Sequence, residues 1–201
     1  MKLKQQLRKE ARTILNNLDN RWLAAASREL SNNLNNLLQT PSFQDTGSCL
    51  AWVPFFPGEA DLSDFISEQI GDRDIYLPKS STDGALKFIS IGSEWLQAMS
   101  CGALGIPEPD AAAGTSWEYR KDGPPAIVLV PGLYFNTQGE RLGRGKGFYD
   151  RFLRSAEEAG QKLIKVGICW QLQVVPQVPT ERFDINMDWI CTEEGAQRCQ
   201  S

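Results

Sequence analysis

A-I-V-L-V-P-G-L-Y-F-N-T-Q-G-E-R-L-G-R-G-K-G-F-Y-D-R-F-L, residues 126–153, runs from an unbroken apolar stretch through a glycine-rich loop into a helical pattern. Residues 126–131 show no polar alternation, which is what a strand covered on both faces requires. After the loop, to about Ala159, the stripe Tyr149, Phe152, Leu153 and Ala156 recurs at helical spacing. K-V-G-I-C-W at 165–170 is the next apolar run. Strand, helix and strand in this order predict a parallel crossover, and hence an α/β sheet with helices on its faces.

The loop inside this unit carries the chemistry. In G-E-R-L-G-R-G-K-G-F-Y-D, Gly139 to Asp150, three alternate glycines (Gly143, Gly145, Gly147) stand among Arg141, Arg144 and Lys146. Glycines let backbone N–H groups turn inward toward phosphate oxygens, and the cations neutralise the charge so held. The spacing excludes a Walker A loop, because Glu140 stands where its first glycine belongs and Gly147 where Ser or Thr is needed. It also excludes a dinucleotide fingerprint from Gly143, whose last glycine position is Phe148. A solvated basic hairpin is the bland alternative for such a loop.

Outward from this unit the pattern continues. Leu3, Leu7, Ala11, Ile14 and Leu15 mark a helix over 2–17. Asp19 N-caps a second, which buries Trp22, Ala26, Leu30, Leu34 and Leu37. Residues 49–55 form a buried strand, 57–61 a turn and 62–70 a short helix. Strands follow at 74–78 and 86–91, one or two helical turns at 94–99, a loop at 104–110 and irregular chain over 111–125. The last strand is 187–192. One domain spanning residues 1–201, a three-layer α/β/α sandwich on a largely parallel sheet, is the expectation.

Composition narrows the function. The chain has 201 residues, net charge −4 and no histidine. The charge disfavours an extended nucleic-acid surface, so an anion site must be a focused pocket. Without histidine, Ser-His-Asp and Cys-His catalysis fall away, as does any histidine-bearing zinc site. Five cysteines, an odd number without a C-x-x-C pair, fit a reducing cytoplasm better than a disulfide framework. The charged N-terminus lacks a signal-like apolar segment, and no apolar run reaches a membrane helix's length.

Other residues gain meaning beside the loop. Lys4, Arg8 and Arg12 share one helix face, where like charges repel by about 0.2–0.5 kcal/mol per pair and cations in the first turn oppose the dipole. Such a row suits an external anion, or else Glu10 or water relieves it. Asp150 could complement its helix dipole and pair with Arg154, or bind Mg²⁺ beside phosphates, with Asp184 or Asp188 as a second carboxylate. Glu59 follows a predicted strand end, where α/β sheets place ligand contacts, although an acid after Pro-Gly is often only a turn residue. Trp52, Phe55 and Phe56 nearby could wall a flat heterocycle or simply pack.

Residues 131–153 closely resemble the signature of the 5-formyltetrahydrofolate cyclo-ligase family, also called methenyltetrahydrofolate synthetases. The N-terminal K-x-x-x-R of Lys4 and Arg8, the P-G-E turn at 57–59, L-P-K at 77–79, G-I-P-E-P at 105–109 and F-D-I-N-M-D-W-I-C-T-E at 183–193 follow in the expected order. The resemblance implies a sugar-phosphate isomerase-like fold and ATP-driven ring closure of 5-formyltetrahydrofolate to 5,10-methenyltetrahydrofolate, through a phosphorylated formyl group. It implies nucleotide contacts from Lys4, Arg8 and the loop residues Arg141, Leu142, Gly143, Arg144, Gly145, Lys146, Gly147, Phe148 and Tyr149. Arg141, Arg144 and Lys146 are the implied catalytic cations. Folate contacts would come from Pro54, Glu59, Gly145, Gly147 and Phe148, and Mg²⁺ would be held by Asp150 and Asp184. The implied partners are these small molecules, with no nucleic acid or membrane, and the expected state is a monomer. A non-catalytic folate- or nucleotide-binding relative is the rival reading. Two positions depart from the family pattern: Phe148 replaces a usual Tyr, and Phe183 a more polar residue, often His.

Overall fold

The computed structural model describes residues 2–81, 85–102, 105–110, 112 and 114–200. Two helices open the chain, α1 (Lys2–Asn16) and α2 (Asn20–Leu38). Asp19 caps α2 as expected, its carboxylate accepting from the N–H groups of Arg21 and Trp22. Strand β1 (Ser48–Leu50), helix α3 (Ser63–Gln69), β2 (Asp74–Ser80) and β3 (Leu86–Ser90) follow. A small hairpin pairs β4 (Met99–Cys101) with β5 (Pro107–Pro109). The central crossover is β6 (Ala126–Pro131), the two-residue strands β7 (Tyr134–Phe135) and β8 (Arg141–Leu142), α4 (Phe148–Glu158) and β9 (Leu163–Ile168). Strands β10 (Trp189–Thr192) and β11 (Gly195–Arg198) end it.

Seven of these strands form one sheet in the order β11-β10-β9-β6-β1-β2-β3. The middle five are parallel, and β3 and β11 add antiparallel edges. Successive residues alternate between the two faces. Cys49, Ile127, Leu129, Val166 and Ile168 pack with α1, α2 and α3, whereas Leu50, Val128, Val130 and Ile190 pack with Phe152 and Leu153 of α4. The expected three-layer α/β/α arrangement is therefore present. Between β1 and β6 the strand order reverses, so their loops diverge and leave a crevice at the C-terminal edge. Among the described residues, no helix is long and apolar enough to cross a membrane.

Several boundaries differ from the sequence reading. The 49–55 run is a strand only to Leu50: Ala51 N–H still donates to Tyr76, but Pro54 has no donor and Pro57-Gly58 turns the chain. The 104–110 loop contains β5 at 107–109, and its Leu104 lies outside the described residues. So do Ala111 and Ala113 of the 111–125 stretch, whose described part is irregular as expected. The polar edge strand β11 and the short hairpins have no apolar periodicity to announce them.

The α1 stripe also turns. Leu3 is 59% exposed and Ile14 44%, while Lys4, Ala11 and Leu15 are buried. Lys4 can enter because its stem is apolar and its ammonium meets a carboxylate. Trp22 is not buried in α2's stripe; it lies half-exposed, edge-on to Trp170 at 5.0 Å between ring centres.

Candidate active site

The loop after β6 is shaped before it reaches its glycines. Asn136, buried, accepts from Gln138 and Glu140 N–H through its amide oxygen and donates to the Glu140 carboxylate, closing the β7–β8 hairpin. Arg141 and Leu142 on β8 then aim the chain across the C-terminal edge. Gly145 and Gly147 take φ of +103° and +68°, backbone that a Cβ would strain, and Gly147 leads into α4.

Each loop cation except Lys146 is engaged within the protein. Arg141, 7% exposed, donates to Asp150 Oδ1 at 2.6 Å and to Pro131 O at 3.2 Å. Its Nε is buried without a partner among the described residues. Arg144 places Nη2 2.7 Å and Nε 3.1 Å from Glu59 Oε1, with its guanidinium 3.9 Å from the centre of the Phe56 ring. Lys146 is exposed and has no ion-pair partner among the described residues. Tyr149, packed beside Phe88, has its phenol pushed well above the usual range by burial.

Arg8 and Arg12 of the row on α1 dock onto this loop, and Lys4 onto the 181–184 segment. Lys4 Nζ reaches Asp184 Oδ2 at 2.7 Å and Glu181 at 3.5 Å. Arg8 Nε donates to Gly143 O at 3.0 Å, and Arg12 Nη2 to Arg144 O at 3.1 Å. Glu10 does not relieve the row; it accepts from Gln6. The unfavourable spacing of the cations is thus compensated by tertiary partners.

The acids divide in the same way. Asp150 pairs with Arg141 rather than with Arg154, whose Nη2 donates to Phe183 O while its guanidinium lies over the exposed Phe183 ring at 4.6 Å. Asp188 directly precedes β10 and accepts from Lys165 N–H of β9 at 2.7 Å, and so stands apart from the site. Glu59 Oε2 accepts the Phe55 and Phe56 N–H groups at 3.1 and 3.0 Å, closing the turn after Pro54. The Phe148 ring lies under Arg151 at 5.3 Å.

Pattern reading missed two residues here. Trp170 Nε1 donates to Gly58 O at 2.6 Å, and Gln173 Nε2 donates to the Gly132 and Leu133 carbonyls at 3.0 Å. Both follow the C-terminal end of β9, and that position beside the reversal of strand order was the available signal. With Trp52, Gly58, Glu59 and Gly132, Gln173 lines a cavity of about 10 Å³, room for about one water, and the Trp52 indole nitrogen is buried without a partner among the described residues.

No cluster of three metal-ligating side chains occurs among the described residues. Asp150 and Asp184 each keep one carboxylate oxygen with no hydrogen bond among those residues, beside one held by a cation. Hard oxygens in this number fit Mg²⁺ shared with phosphates rather than an all-protein cage.

Residues 1–193 match the 5-formyltetrahydrofolate cyclo-ligase family. The 5-formyltetrahydrofolate cyclo-ligase of Saccharomyces cerevisiae is 25% identical over 98% of this chain and 98% of its own. That of Escherichia coli is 35% identical over 68% of this chain and 73% of its own. The solved 5,10-methenyltetrahydrofolate synthetase of Aquifex aeolicus matches with a TM-score of 0.79 and 29% identity, over 99% of this chain and 94% of that one. A synthetase of the same name from Mycoplasma pneumoniae, 20% identical, shares the fold with a TM-score of 0.71 over 94% and 98% of the two chains.

Proposed function

The chain belongs to the 5-formyltetrahydrofolate cyclo-ligase family, and on that premise we propose how its residues divide the reaction. The formyl oxygen of 5-formyltetrahydrofolate attacks the γ-phosphorus of ATP, and the bond to the β–γ bridging oxygen breaks with its electron pair leaving on ADP. The product is a phosphorylated imidate. The N10 amine then adds its lone pair to the activated carbon and gives up its proton. Phosphate leaves with the C–O electron pair, and 5,10-methenyltetrahydrofolate remains. No step demands an imidazole, which suits a chain without histidine.

A formamide oxygen is a weak nucleophile, so alignment and charge neutralisation carry the phosphoryl transfer. Arg141, Arg144 and Lys146 are assigned to the transferring phosphoryl group, and Lys4, Arg8 and the backbone from Leu142 to Tyr149 to the nucleotide. Pro54 and Glu59 receive the folate with Gly145, Gly147 and Phe148. Asp150 and Asp184 would hold Mg²⁺, which when bound neutralises phosphate charge. Closure of the glycine loop would exclude water, which would otherwise hydrolyse the imidate. The reading extends to one functional unit over residues 1–201, a monomer in a reducing cytoplasm, supported by unbridged buried thiols at Cys49, Cys169 and Cys191.

The contact between Arg144 and Glu59 carries this proposal, because it joins the phosphate loop to the turn assigned to folate. Donors on the folate would take over Glu59 and release the guanidinium toward the phosphoryl group. The test is the absorbance of the methenyl product after mixing protein, 5-formyltetrahydrofolate and Mg²⁺ with and without ATP. Folded protein that gives no ATP-dependent signal would sink it.

A further inference from the structure

Residues 53–59 leave the sheet as an extended strap bearing Pro54, Phe55, Phe56 and Glu59. The strap closes on itself through Glu59, whose carboxylate accepts from Phe55 and Phe56 N–H. Among the described residues, two hydrogen-bonded contacts join it to other elements: the Arg144–Glu59 pair, with two bonds, and the single Trp170–Gly58 bond. The first joins two groups to which the proposed function assigns ligands; the second joins groups to which it assigns none.

Trp170 is built to hold still. Its ring is 1% exposed, with Trp22 edge-on against it. Its backbone N–H donates to Gln173 Oε1 at 2.8 Å. Through Nε2 the same Gln173 holds the Gly132 and Leu133 carbonyls, where β6 leaves the sheet. Gly58 sits at φ +75° with its α-carbon against the Leu15 carbonyl, where a Cβ would overlap it. One short turn after β9 therefore spans both sides of the crevice, grasping the β1 strap by an indole N–H and the β6 exit by an amide.

We infer that Trp170 is a positioning residue for the cyclo-ligase reaction: its indole N–H, donated to Gly58 O, sets the Glu59 carboxylate at the crevice. The inference rests on the proposed folate role of Glu59. It assigns Trp170 no contact with the reacting atoms, so its removal affects folate capture before it affects phosphoryl transfer.

The test replaces Trp170 by Phe and, in a second protein, by β-(3-benzothienyl)alanine, which keeps the bicyclic shape and removes only the donor. Losing one buried hydrogen bond predicts that the KM for 5-formyltetrahydrofolate rises about five- to tenfold, with the KM for ATP and kcat within about twofold. Amide exchange at Phe55 and Phe56 speeds up by a similar factor without ligand. In a Glu59→Gln background the isostere adds no further rise, because both changes act through one group. Trp22→Phe, which disturbs the packing but leaves the donor, reproduces none of this. Unchanged exchange in the isostere protein overturns the inference, and so do equal increases in both KM values or a full effect persisting in Glu59→Gln. Faster exchange with an unmoved folate KM in both Trp170→isostere and Glu59→Gln supports the tie and overturns instead the folate role given to Glu59.

Discussion

Arg144 and Glu59, 85 residues apart in sequence, meet at 2.7 Å across the crevice where the strand order reverses. The guanidinium uses two of its nitrogens on one carboxylate oxygen and lies over the Phe56 ring. Lysine offers neither a fork nor a planar face. Arg144→Lys is therefore expected to lower kcat/KM at least about tenfold, or ~1.4 kcal/mol, although charge is conserved. Steady-state kinetics check this; equal activity would show that only charge matters at this position.

Lys146 and Arg141 should separate in a different manner. Lys146 is exposed and its side chain makes no described contact, only its carbonyl accepting from Arg151, so Lys146→Ala should lose about thirtyfold in kcat/KM, near 2 kcal/mol, with no change in Tm. Arg141→Ala removes the partner of Asp150 and of Pro131 O from a buried position, so both activity and Tm should fall. Calorimetry beside kinetics tells the two apart, and a lower Tm in Lys146→Ala would contradict the assignment.

The loop glycines are not equivalent. At φ +103° Gly145 cannot take a side chain without strain, and its Cβ would stand 3.4 Å from the Arg8 guanidinium. Gly143 lacks the positive φ, and its Cβ would stand 3.0 Å from the Arg141 guanidinium. Gly145→Ala is expected to cost about 1–2 kcal/mol of stability and to weaken ATP binding, and Gly143→Ala less in stability. Urea titrations of the two variants give the comparison.

Mg²⁺ should bind poorly without nucleotide. Asp150 and Asp184 are already neutralised by Arg141 and Lys4, so the cation meets little net charge until phosphates draw those side chains away. Titration calorimetry should show at least about tenfold tighter Mg²⁺ binding with a non-hydrolysable ATP analogue present, and Asp184→Asn should reduce that coupling. Equal Mg²⁺ affinity with and without the analogue counts against the assignment.

Alkaline pH should destabilise the fold through its thiols. Burial pushes Cys49 and Cys191 from an ordinary 9.0 up to about 12, and Cys199 up to about 11. Above about pH 9 the unfolded chain releases these protons while the folded one keeps them, so stability is complete below that pH and falls as it rises toward 12. Urea midpoints should decline through this window, and Cys49→Ala should flatten the decline even though it lowers the overall midpoint. A pH-independent midpoint would refute the argument.

The central crossover, the capped second helix and the position of the glycine-rich loop could be read from local patterns. Each depends on neighbours within about one helical turn or on strand alternation, and the spacing of apolar and turn residues records those directly. The same logic made Lys4, Arg8 and the loop cations candidates. It failed where partners come from afar. Leu3 and Ile14 look like core by periodicity, yet the buried face of α1 turns toward Lys4 because Asp184 waits 180 residues away. Local spacing paired Asp150 with Arg154, while the fold gives it Arg141 from β8. Trp170 and Gln173 carry no motif; their hydrogen bonds exist only once the ends of β1, β6 and β9 lie side by side. Periodicity encodes which face of an element is apolar, but a hydrogen bond between distant segments depends on sheet order, and sheet order is a property of the assembled chain.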